Sequence, residues 1–168
     1  RMIRASVDVG VRGFTVPAAA PDRLSRLAAM DLRTGERTVA CMNTAPALYG
    51  FDTDPDGLLH ILDPGVRIRP TAELMVHQRL GAPLRLVGDR LATAPAWTAV
   101  EMARTLRRPR ALAMLDAALG SGLCTAAELA SAVAEQKGRR GIVKVRGLLG
   151  HADGRAESPM ESEARLVF

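Results

Sequence analysis

The chain has 168 residues, enough for one domain with a sizeable core and too few for two large ones. Aromatic residues make up 3%, so the core must be built from Leu, Val, Ala and Met, a composition that favours closely packed helices, and the net charge of +5 permits contact with phosphate. No apolar run reaches the length of a membrane span, and two isolated cysteines, Cys41 and Cys124, exclude a disulfide framework and fit a reducing cytoplasm.

Residues 6–18, SVDVGVRGFTVPA, alternate Val with polar residues or Gly and close at Pro17, which predicts one or two short strands. The next stretch, APDRLSRLAAMDLRTG (20–35), predicts a helix capped by Asp22 and ended by Gly35, with Leu24, Leu27 and Leu32 on its apolar face. ERTVACMNTAPALYGF (36–51) predicts a second helix, with Pro46 as an obstacle inside it. DTDPDG (52–57) reads as a turn, LLHILD (58–63) as a strand, PGVRIRP (64–70) as a turn with an edge segment and ELMVHQRL (73–80) as another strand. PLRLVGDRLAT (83–93) predicts a hairpin turning at Gly88-Asp89.

From residue 94 the apolar period changes from two to about 3.6. Four helices are expected, over 94–106, 108–119, 125–136 and 140–152. Thr125 and Glu128 form a capping box before the third, and Gly120 and Gly122 end the second. A further helix opens at Ser158-Pro159-Met160-Glu161, with Ser158 as N-cap and Glu161 at the third position, a box worth about 1 kcal/mol. A helix this close to the end of the chain is marginal unless it docks. The expected fold class is α+β: a small antiparallel sheet with two preceding helices, followed by a bundle of four to five helices.

The stretches TAPAWTAVEMARTLRRPRALAMLDAALGSG and TAAELASAVAEQKGRRGIVKVRGLLGHADGRAESPMESEARLVF resemble a family of mainly actinobacterial AbiEi-type antitoxins and transcriptional regulators. RTVACMNTAPALYGF and GVRGFTVPA extend the resemblance over nearly the whole chain. It implies a winged helix upstream of residue 1, a linking α+β region over 1–155, and over 156–168 the first helix of an incomplete domain similar to the very-short-patch-repair endonucleases. On that reading only Glu161 corresponds to an acidic residue of the endonuclease-like site, and one carboxylate cannot hold the metal ions such chemistry needs.

Two basic stretches could contact phosphate: Arg107, Arg108 and Arg110 in RTLRRPR, and Lys137, Arg139, Arg140, Lys144 and Arg146 in KGRRGIVKVRG. Their commoner role is a solvated face, and the phosphate reading gains if the two share one surface. On the second stretch Ile142, Val143 and Val145 are expected on the opposite side. The spacing of Asp52, Asp54, Asp56, Gly57 and Asp63 resembles a calcium loop, but Pro55 inside it and Pro64-Gly65 after it favour a turn. His60 and His77 alternate with apolar residues and read as solvent-facing; with His151 they lack zinc-ligand spacing. Trp97 reads as a core anchor between sheet and bundle. Asp116, set among Leu112, Leu115 and Leu119, needs a partner, for which Arg108, Arg110 or a helix N-terminus are the candidates.

The leading reading is a non-catalytic regulator or antitoxin-like protein of a bacterial toxin–antitoxin system, cytoplasmic, with no metal and no cofactor. Its partners would be a cognate toxin or another protein, and DNA through phosphate contacts. The alternatives are a fragment of a restriction-endonuclease-like nuclease lacking its catalytic core, and a truncated remnant without function.

Overall fold

The computed structural model describes residues 22–51, 53, 56–79, 81–156 and 158–166. The strands expected over 6–18, and Asp52, Asp54 and Pro55 of the turn, lie outside the described residues.

Helix α1 (Arg23–Thr34) begins where its cap predicts: the Asp22 carboxylate accepts the Ser25 N–H at 2.7 Å, and Gly35 ends it with φ 74°. Its buried residues are Leu27 and Met30, whereas Leu24 and Leu32 are exposed. At about 100° per residue Leu32 stands more than a third of a turn from Leu27, so the two cannot share one face.

The expected second helix is instead a strand and a shorter helix. Val39–Ala40 is β1, and α2 is Thr44–Tyr49, reached through Met42 at φ 44°. Pro46 lies in the first turn of α2, where the N–H it lacks would have no intrahelical acceptor. The remaining strands are β2 (Leu59–Leu62), β3 (Leu74–His77), β4 (Leu84–Val87) and β5 (Arg90–Thr93). Residues 64–70 form no strand.

The sheet order is β3-β2-β1-β5-β4. It is mixed, not antiparallel as expected: β1 runs parallel to β5 and β2 parallel to β3, while β1–β2 and β4–β5 are antiparallel. The physical reason is the placement of β1. The two-residue strand enters the middle of the sheet between β2 and β5, which run in opposite directions, so it runs parallel to one of them, and β2 and β3, joined by residues 63–73 rather than a tight turn, pair in parallel. The β4–β5 turn is Gly88-Asp89 as predicted, with Gly88 at φ 61°.

The bundle comprises α3 (Pro95–Thr105), α4 (Arg108–Gly120), α5 (Ala126–Glu135) and α6 (Ile142–Leu148), the last running into a 3-10 turn (Leu149–His151). Both halves of the Thr125–Glu128 capping box form. Helix α7 (Pro159–Ala164) packs along α4, with the Ser158 hydroxyl accepting the Glu161 N–H at 3.2 Å and Ser162 buried. The fold is α+β.

Two apolar clusters result. One, from Leu27, Ala40, Leu59, Ile61 and Leu74, lies on the sheet; the larger, from Val100, Leu112, Leu115, Leu129, Val145 and Leu148, fills the bundle. Tyr49 of α2 packs against both, and its hydroxyl donates to the Thr93 carbonyl at 2.8 Å.

Candidate functional site

The two basic stretches meet. Gly141 takes φ 84°, and a Cβ there would collide with the Arg104 carbonyl, so only glycine lets the start of α6 approach the end of α3 this closely. The approach places the Lys144 ammonium on the Arg104 carbonyl at 3.1 Å and on the Leu106 carbonyl, capping the C-terminal end of α3 with a cation. Burial, then the neighbouring Arg104 charge, push the Lys144 ammonium below its usual range. Arg104 spans the same junction, donating to the Gln136 side chain and the Arg140 carbonyl, each at 2.9 Å.

This junction leaves Arg107, Arg108, Lys137, Arg140 and Arg146 exposed, none with a side-chain partner among the described residues. Arg139 is half-buried: its guanidinium stands 4.9 Å over the Trp97 ring. Arg110 is half-buried and lines a cavity of about 420 Å³ between α4 and α7, with Met102, Leu106, Met114 and Asp116 also in its walls. On α6, Ile142 and Val145 are buried but Val143 is 74% exposed, so the apolar side is narrower than its three residues suggest.

Trp97 is 2% exposed, and its carbonyl accepts the fully buried Gln136 amide at 3.1 Å. Asp116 is also 2% exposed. Its partners are not Arg108, Arg110 or a helix N-terminus: it accepts from Arg165, just after α7, and from the Asp153 backbone N–H at 2.7 Å. The loop carrying Asp153 reaches α4 because Gly154 crosses Gly120, where a Cβ on Gly120 would lie 2.8 Å from the Gly154 oxygen. The thiols are core groups. Burial, followed by the Glu101 charge, pushes Cys41 up, and burial pushes Cys124 up to about 11.

Two polar arrangements are invisible in the linear pattern. The first is a line of hydrogen bonds through His60, which is buried rather than solvent-facing: Asp56 Oδ2 to His60 Nε2 at 2.6 Å, and His60 Nδ1 to His77 Nε2 at 2.8 Å. Parallel pairing sets Leu62 opposite His77, which makes His60 and His77 diagonal neighbours on one face, with stacked rings. The second is Glu101, 0% exposed on α3 and paired with Arg79 at 2.5 Å. A glutamate among apolar residues on every side of 94–106 signals the need for such a partner. The histidine pair carries no comparable signal until the strand order is known.

Although burial works to raise the Asp56 carboxyl, hydrogen bonds from His60, the Leu58 backbone and Asn43 hold it below the usual range. Burial, then the nearby His60 and Arg79, lower His77 to about 4. Between about pH 6.5 and 4 the unfolded chain therefore binds a proton at His77 that the folded chain refuses. Stability is expected to be full above pH 6.5 and to fall by about 1–2 kcal/mol on acidification through that window, after allowing for the partial exposure of the ring. Urea melts at pH 7.5 and 4.5 should record this fall, and His77→Gln should diminish it; an equal fall in both proteins contradicts the assignment to His77.

Among the described residues no helix is long and apolar enough to cross a membrane. The family model of the AbiEi antitoxin C-terminal domain matches residues 38–151, from the residue before β1 to the end of the 3-10 turn. Two proteins of Mycobacterium tuberculosis, from strains CDC 1551 and H37Rv and both described as uncharacterized, are 62% identical to the chain over 175 residues. Those alignments take in 99% of the chain and 65% of each relative, so the chain spans just under two thirds of the relatives' length. No solved structure matches. With the matched span enclosing the five-stranded sheet, α2 and the whole of the α3–α6 bundle, the chain belongs to the AbiEi antitoxin C-terminal domain family.

Proposed function

We propose that the chain is the non-catalytic antitoxin unit of a bacterial toxin–antitoxin regulator, acting in the cytoplasm, with a cognate toxin or another protein as its partner and DNA backbone as a second contact. The observation that carries the DNA contact is the junction of α3 and α6. It joins the two basic stretches, separate in sequence, through the contacts of Arg104 and Lys144 and leaves the side chains of Arg107, Arg108, Lys137, Arg140 and Arg146 without protein partners among the described residues. Arginines of this kind neutralise phosphates without reading bases. The buried thiols, held protonated, are poor nucleophiles, in keeping with a binding role. Residues 156–168 would open an endonuclease-like unit, anchored on the bundle by the contact of Arg165 with Asp116.

Replacing Arg107, Arg108, Arg140 and Arg146 together with alanine should weaken duplex DNA binding at low salt by more than about tenfold. It should also flatten the dependence of log affinity on log salt by up to about 3.6, about 0.9 for each lost phosphate contact. Fluorescence anisotropy across a salt series measures both. Unchanged affinity and slope would remove DNA from the proposal and leave the protein partner standing.

A further inference from the structure

An open cleft of about 690 Å³ lies where the ends of β2 and β3 face the α5–α6 turn, and His77, Arg79, Gln78, Arg139 and Asp63 are among its lining residues. Its two guanidinium groups are fixed in ways that leave donors to spare. Arg139 is held by stacking on Trp97 rather than by an acid, and its N–H groups have no acceptor among the described residues. Arg79 uses Nε on Glu101 at 2.5 Å and Nη1 on the Gln78 carbonyl at 3.0 Å, which leaves Nη2 open.

His77 is held from behind by a line of hydrogen bonds. Asp56, held ionised, can only accept, so His60 Nε2 donates to it, and His60 Nδ1 shares a hydrogen bond with His77 Nε2. His77 Nδ1 has no protein partner among the described residues.

We propose that this cleft binds a phosphate group, gripped by Arg79 and Arg139. Two guanidinium forks with donors to spare suit a tetrahedral oxyanion. Asp63 is the one carboxylate in the lining, and its Oδ1 is occupied by the Gly65 N–H at 2.9 Å.

Trp97 is the only tryptophan and touches Arg139, so its fluorescence reports on the cleft directly. The probes are thymidylyl-thymidine, a phosphodiester whose charge is constant between pH 5 and 8, and thymidine 5′-monophosphate. Both should give saturable changes in Trp97 emission. Preference for the diester assigns the phosphate to a nucleic-acid strand, and preference for the monoester to a free nucleotide; either supports the site. Arg139→Gln should weaken binding about tenfold, and Arg79→Lys should weaken it while keeping a cation beside Glu101. Arg33→Gln, exposed on α1 and outside both the cleft lining and the two basic stretches, should leave the cleft signal unchanged, which controls for a general loss of positive charge. No saturable change with either probe, or saturation that Arg139→Gln and Arg79→Lys both leave intact, overturns the proposal.

Discussion

Replacing Arg79 with alanine is expected to lower the unfolding free energy by about 3–4 kcal/mol. The loss comes from Glu101, not from the arginine. Glu101 is fully buried, and its Oε2 already has no hydrogen-bond partner. Without Arg79 the nearest cation is Arg104, whose closest nitrogen is 3.9 Å from Oε1, too far for a hydrogen bond. A buried carboxylate deprived of its counter-ion costs more than the pair ever contributed, because neither water nor another donor takes over. The same reasoning predicts partial rescue. Arg79→Ala combined with Glu101→Leu removes the stranded charge, fills the site with an apolar side chain and should recover at least half of the loss. Equilibrium denaturation of the three variants decides the matter, and a neutral Arg79→Ala would show that Glu101 carries no buried charge.

Asp116→Ala should cost about 3 kcal/mol. The change strands two donors: the Arg165 guanidinium, whose Nε is already buried without an acceptor, and the Asp153 backbone N–H. The value sits at the low end of the range for broken buried pairs because the Arg165 side chain is 30% exposed and can turn towards water. The damage should also be directional. Arg165 follows α7 and donates to the His151 carbonyl at 3.0 Å, so loosening it frees both α7 and the loop over α4. Amide exchange over 158–166 should accelerate well beyond the global loss of stability. An unaltered melting temperature, or faster exchange spread evenly over the bundle, would contradict this role for Asp116.

The bundle is legible in the sequence because its signals are local. The apolar period over 94–152, the Thr125–Glu128 box and the Ser158 cap are each set by residues a few positions apart, and the hairpin at Gly88-Asp89 likewise needs only its own turn. The sheet is not legible to the same degree. Val39–Ala40 is too short to carry a period of two, and its helix-like surroundings are shared with α2. Once β1 is misread, the parallel pairing of β1 with β5 and the juxtaposition of His60 and His77 are out of reach, since both depend on strand order. The basic stretches can be found in the sequence, but not their division of labour. Lys144 closes a helix end and Arg139 lies on an aromatic ring, and only the three-dimensional junction separates these from the arginines left outside.

The position of β1 makes the molecule indivisible as a unit of inheritance. Residues 39–40 are held on one side by residue 61 and on the other by residues 91–92, while α2, which comes next in the chain, leans on α3 beyond the last strand. Every cut in the coding sequence between those points would separate neighbours in the middle of the sheet. Recombination can exchange what is attached to this body, but it cannot trade one half of the body for another.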